Sequence, residues 1–179
     1  MGVDPGTNLL GYSVIRTQGN NKKPILITLD VLDMRKMEGH FLKLQYIFNE
    51  MKRLITLYAP QEMAIEAPFY GKDAQAMLKL GRAQGAAITA AMELGVPITE
   101  YMPKSIKQSI TGKGNASKEQ IASMLPHLVE GNVTAKFFDA TDALGVAMTH
   151  HFSTSGPATG AKKYNDWKDF VKDNPGKKL

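Results

Sequence analysis

Three strand-like segments stand in a row at the start of this chain, and from there helix and strand alternate; no other feature restricts the possible folds as much. Leu9 to Arg16 (LLGYSVIR) and Ile25 to Leu32 (ILITLDVL) read as strands, joined by the turn-rich run from Gly19 to Pro24, and Val3 ends a segment before them. Phe41, Leu44, Ile47, Phe48, Met51, Leu54, Ile55 and Tyr58 then recur at helical spacing, and Pro60 closes that helix. Met63 to Ala67 (MAIEA) is a short apolar strand. An Ala-rich helix from about Asp73 to Leu94 follows, ended by Gly95, and Val96 to Tyr101 is a further strand. Ser117 and Gln120 have capping-box spacing and open a helix that runs to about Leu125, before Pro126. A last helix spans about Phe138 to Phe152. Early hairpins followed by strand–helix–strand crossovers predict an α/β fold. Its sheet is mixed and five-stranded, antiparallel in the first three strands and parallel after, with helices on both faces.

With 179 residues and 43% hydrophobic content, the chain holds one ordinary domain with a core of its own. The division expected is a body over 1–152 and a basic C-terminal tail over 153–179. That tail is rich in Ser, Gly, Pro and Lys, and is read as disordered or as a docking segment carrying Tyr164, Trp167 and Phe170. Cysteine is absent, which excludes disulfides, thiolate metal sites and cysteine nucleophiles. Four histidines, two of them adjacent (His150 and His151), argue against a zinc site. Without an apolar run of membrane length or a signal peptide, the expected protein is cytoplasmic and makes no contact with a membrane. Twenty-two basic and seventeen acidic side chains give a net charge of +5; six lysines and three aspartates lie from Gly156 onward, so the body carries only +2. That is a weak pointer to nucleic acid.

Four carboxylates hold informative positions. Asp4 precedes the tight turn Pro5-Gly6-Thr7, and Glu66 interrupts an apolar strand, where a charge is costly unless something pairs with it. Asp139 and Asp142 are three apart on the last helix and share a face. If the first and fourth strands are neighbours and the last helix crosses their ends, all four acids meet. Such a cluster must bind protons or cations. Oxygen ligands without His or Cys favour Mg²⁺ or Mn²⁺, and two such ions would serve phosphodiester hydrolysis. In the competing reading Asp4 only starts a turn, Glu66 pairs with a lysine, and the two helical aspartates cap their helix.

Lys104, Lys107, Lys113 and Lys118 fall between Pro103 and Lys118 with no acid among them, around the glycine-bearing stretch from Thr111 to Asn115. They could contact a DNA backbone and hold a scissile phosphate beside metal ions, or simply form a solvated surface. Phe69 and Tyr70 follow Glu66 directly; they could stack on unpaired bases or pack under a loop. Gly81 and Gly85 are costly inside a helix unless another backbone comes close, either the sheet beneath or the same helix of a second copy.

Gly2-Val3-Asp4-Pro5-Gly6-Thr7, Ala64-Ile65-Glu66, Lys79-Leu80-Gly81-Arg82-Ala83-Gln84-Gly85 and Asp139-Ala140-Thr141-Asp142-Ala143-Leu144 together closely resemble the RuvC family of bacterial Holliday junction resolvases. Similarity runs from Met1 to about Phe152, in spacing as well as in motif. The resemblance implies an RNase H-like fold over 1–152, a homodimer, and Mg²⁺-dependent nicking of two opposing strands of a four-way DNA junction. It also implies work alongside the RuvA–RuvB branch-migration complex. Matched by position, the family's metal-binding acids fall on Asp4, Glu66, Asp139 and Asp142, its functional lysines on Lys107 and Lys118, and its junction-contacting aromatic on Phe69. Rival readings are another RNase H-like nuclease and a catalytically inert junction-binding module. An actin-like ATPase, suggested by Asp4-Pro5-Gly6-Thr7, would need a second domain.

Overall fold

A computed structural model describes residues 1–19, 22–68 and 73–155. Strands β1 (Gly2–Asp4), β2 (Leu9–Arg16), β3 (Ile25–Asp33), β4 (Met63–Glu66) and β5 (Ile98–Tyr101) form one sheet in the order β3-β2-β1-β4-β5. β1 and β3 run antiparallel to β2, while β4 lies parallel to β1 and β5 parallel to β4. The mixed sheet read from the sequence is therefore the one found. No helix among the described residues is long and apolar enough to cross a membrane.

Two helix layers cover the sheet. On one face α1 (His40–Tyr58) and α2 (Ala74–Glu93) bury Ile47, Met51, Leu54, Ala83, Ala87 and Ala90 against Val3, Leu10, Met63 and Ile65. Asp73 caps α2, its carboxylate accepting the Ala76 N–H at 3.0 Å. On the other face lie α3 (Pro103–Thr111), α4 (Lys118–Leu128) and α5 (Phe138–Ser155), whose Ile110, Ile121, Leu125, Leu144 and Met148 form a second core. The capping box of Ser117 and Gln120 opens α4 as its spacing predicts. Two helix ends differ from the sequence reading. α4 continues through Pro126 to Leu128, with the bond to the Ala122 carbonyl forfeited at the proline. α5 runs to Ser155. Strand β5 is shorter than read, starting at Ile98.

Strand alternation decides what faces the site. Val3 and Ile65 point into the α1–α2 core, so their neighbours Gly2, Asp4, Ala64 and Glu66 take the α5 side. α5 lies directly on the sheet there. A Cβ on Gly2 would come within 2.2 Å of the Ala143 carbonyl oxygen, and one on Gly11 within 1.9 Å of that of Asp139. Any side chain at either position would lift the helix. The contact is fixed by the buried Ser13 hydroxyl, which donates to the Ala143 carbonyl at 3.0 Å.

Candidate active site

Asp4 ends β1 and Glu66 ends β4, so adjacent parallel strands deliver two carboxylates to the same end of the sheet. The first turns of α5 bring Asp139 and Asp142 over them, at the separation set by Gly2 and Gly11. Asp4, Glu66 and Asp142 line a cavity of about 90 Å³ together with Lys107 of α3 and Lys118 of α4. Pro103, Ile106 and Ile121 form its apolar walls. Asp139 does not line that cavity but lies close enough to act electrostatically on Asp4, Lys118 and Asp142.

Burial dominates the electrostatics. It pushes the Asp4 carboxyl well above the usual carboxylate range, and repulsion from Glu66 and Asp142 adds to the effect, with Lys118 opposing. Glu66 is raised to about 7, first by burial and then by Asp142, against Lys118 and Lys107. Asp142 is raised by burial in spite of the Lys118 ammonium, which donates to its Oδ2 at 2.5 Å. Burial alone would lower Lys118; the hydrogen bond to Asp142 and the surrounding acids reverse this and raise it. The acids are thus held in a place that disfavours their ionised form, with one ammonium, itself more than half exposed, as the direct partner.

A hard divalent cation suits this donor set: several carboxylates, no histidine, no sulfur, and a shortage of positive charge. As they stand, no three His, Asp or Glu side chains among the described residues are close enough to hold an ion in common. The Lys118 ammonium meets Asp142 where a competing cation would be drawn.

The remaining sequence candidates divide. Lys107 and Lys118 enter the cavity, whereas Lys104 and Lys113 lie exposed outside it. The stretch from Thr111 to Asn115 is tied down: Gly112 takes a left-handed conformation (φ 74°) that caps α3, and the Gln108 amide donates to its carbonyl at 2.7 Å. Phe69 and Tyr70, and the tail with Tyr164, Trp167 and Phe170, lie outside the described residues. Gly81 and Gly85 meet nothing within 4 Å where a Cβ would stand, so the sheet is not their reason. Sequence reasoning missed the walls Pro103, Ile106 and Ile121. Pro103 lies four residues before Lys107 and Ile121 three after Lys118, and this helical spacing is the signal that could have found those two.

The family model described as crossover junction endodeoxyribonuclease RuvC matches residues 1–150. The crossover junction endodeoxyribonuclease RuvC of Porphyromonas gingivalis is 49% identical over 181 residues, covering 99% of this chain and 95% of that one. Its counterpart from Cytophaga hutchinsonii is 50% identical over 177 residues, covering 99% and 86%. Among solved structures, Thermus thermophilus RuvC in complex with a Holliday junction substrate superimposes with a TM-score of 0.79 at 29% identity, over 86% of this chain and 93% of that one. A yeast mitochondrial Holliday junction resolvase, at 15% identity and a TM-score of 0.60, shares the fold. On the family match and on relatives of this identity and coverage, the chain belongs to the RuvC family.

Proposed function

We propose that this protein resolves Holliday junctions, as a crossover junction endodeoxyribonuclease that hydrolyses phosphodiester bonds in two opposing strands during recombination and repair. One observation carries the reading: three carboxylates from β1, β4 and α5 line a single small cavity with two lysines, in a chain of this family. The nuclease depends on divalent metal. We assign its ions as Mg²⁺, two per site with Mn²⁺ able to replace it, held by Asp4, Glu66, Asp139 and Asp142. When bound, these ions activate water for attack and stabilise the leaving oxygen.

The chain's own residues do the rest. The apolar walls exclude bulk water and strengthen every charge interaction inside the cavity. Lys107 binds the scissile phosphate or the attacking water, and Lys118, once released from Asp142, binds an adjacent phosphate. Lys104 and Lys113 extend the cationic face toward the DNA backbone, and Phe69 contacts the junction. The protein acts in the cytoplasm, together with RuvA–RuvB.

Two opposing nicks call for two sites related by a two-fold axis, which a homodimer supplies. The open flank of α2 fits that role. Leu78 is 63% exposed there, and nothing stands over Gly81 or Gly85. Gly85→Leu would gain helix propensity, and its Cβ would meet nothing within 4 Å inside one subunit. The sedimentation coefficient of this variant should fall from that of a dimer to that of a monomer. An intact dimer would move the interface elsewhere.

The activity test uses a synthetic four-way junction, a matched duplex and ATP, each with and without Mg²⁺. Paired nicks in the junction only, dependent on the metal and lost in Asp4→Asn with junction binding retained, are the expected result. Cutting of duplex as fast as junction would favour another RNase H-like nuclease, and binding without cutting an inert module.

A further inference from the structure

Lys107 follows β5, at one edge of the sheet, and the acids come from β1 and β4 near its middle. The far edge, β3, ends at the same side of the sheet, since Leu9 pairs with Asp33 as Asp4 pairs with Gly11. There the mechanism above leaves a group of side chains unused. Arg35, just beyond β3, is gripped by Asp33: Nε donates to Oδ1 at 2.9 Å and Nη2 to Oδ2 at 2.6 Å. This fork leaves Nη1 without a hydrogen-bond partner among the described residues, and the guanidinium lies over the Phe137 ring, 4.8 Å from its centroid. The Lys136 ammonium stands 5.4 Å from the same centroid. Lys36 is exposed beside them, and Phe138, the first residue of α5, is 48% exposed immediately before Asp139.

A single exposed phenylalanine would mean nothing. Here two consecutive aromatics and three cations share a ledge that adjoins one of the proposed metal-binding acids, and Arg35 lies within electrostatic reach of Asp139. Asp33 offsets one of those cations, so Lys36 and Lys136 supply the net positive charge.

Resting on the nuclease reading, we infer that this ledge is a second DNA contact, which carries an unpaired stretch of the junction strand away from the acids on the side opposite α3. Phe138 stacks on a base, Lys136 and the free edge of Arg35 bind phosphates, and Phe137 holds both cations in place. The cut strand is then gripped on both sides of its scissile bond, by lysines of α3 and α4 on one flank and by the ledge on the other. Charge complementarity and continuity with the acidic site both select DNA as the occupant.

Fluorescence anisotropy with the full chain, a four-way junction and a matched duplex, at several salt concentrations without divalent ions, tests this. Lys136→Ala should reduce the slope of log affinity against log salt by ~0.7–0.9, the change expected when one phosphate contact is lost. Phe138→Ala should weaken junction binding about fivefold or more, as loss of one stacked base would. Phe138→Trp should retain affinity, and duplex binding should suffer less than junction binding. Thermal melts control for folding, and the exposed Lys136 decides the matter even if Phe138→Ala melts early. Wild-type affinity and salt slope in both alanine variants would overturn the ledge while wild-type cleavage of the junction still stands; absence of that cleavage would instead remove the nuclease reading.

Discussion

At the N-terminal end of α5, Asp142 shares a buried cavity with Asp4 and Glu66, and the Lys118 ammonium is its direct partner. At the C-terminal end of the same helix, His150 is only 13% exposed, but both of its ring nitrogens are engaged. Nε2 meets Glu62 Oε2 at 2.7 Å and Nδ1 meets the Tyr101 hydroxyl at 2.9 Å, while that hydroxyl also meets Ser153 Oγ. One end gathers groups that repel, the other pairs groups that attract. Space does not separate them as chemistry does: the roomier cleft, about 520 Å³ and lined by Met1, Tyr58, Glu62, His150 and His151, is at the paired end. Burying polar groups with their partners builds a fold. Burying them without partners leaves a deficit that a ligand must fill.

Glu66→Gln breaks this contrast most severely. Cleavage of a four-way junction should fall by more than about 100-fold, because losing even an outer partner of a metal ligand costs up to that much. The same variant should be more stable than wild type without metal, in a pH-dependent way. Below its unfolded value of 4.5, Glu66 is protonated in both states and contributes nothing. Between 4.5 and about 7 the unfolded chain releases the proton and the fold keeps it, so stability falls as pH rises, by roughly 3 kcal/mol in all. Asp4 and Asp142, also raised, act in the same direction. Melting curves of the metal-free proteins should therefore coincide near pH 4.5 and diverge by pH 8, with Glu66→Gln melting higher. Added Mg²⁺ should raise the wild-type midpoint more at pH 8 than at pH 6. Coincident curves at every pH would mean that Glu66 is paired as comfortably as His150.

The sequence made one side of this comparison far more readable than the other. Glu66 stands out because a carboxylate in the run Met63-Ala64-Ile65 contradicts its surroundings, and the Ser117–Gln120 cap is a local signal with a fixed spacing. The mixed sheet, antiparallel and then parallel, followed from the order of strand and helix periods. Gly2 and Gly11 carry no such mark. Their role exists only once α5 has docked on β1 and β2, a contact between residues more than a hundred positions apart. The same holds for Glu62, Tyr101 and His150, each ordinary in its own segment and joined only by the fold. Pro126 misled because α4 runs two residues past it, where a proline read from sequence alone marks a stop. Gly81 and Gly85 signalled a close approach without naming the side. The empty space over both positions excludes the sheet, and with it the commoner cause.

His150→Ala gives the smallest effect and the sharpest contrast. It removes two hydrogen bonds from the paired end and leaves the Tyr101 hydroxyl with Ser153 as a partner, while Glu62, about half exposed, regains water. The expected loss is therefore about 1–2 kcal/mol of stability, the net worth of two hydrogen bonds of which one end rehydrates. Cleavage per folded molecule should not change, because the acids at the other end keep their contacts with β1 and β4 through Gly2, Gly11 and Ser13. Melting temperature and single-turnover cleavage measured on the same preparation check both halves. Tyr101 complicates the expectation in one respect: its backbone carbonyl accepts the Ala67 N–H at 2.9 Å, and it lies opposite Glu66 in the β4–β5 register. If the cleavage rate fell while the melting temperature held, the paired end would be acting on Glu66 through that strand, and the division between a structural and a chemical end of α5 would be wrong.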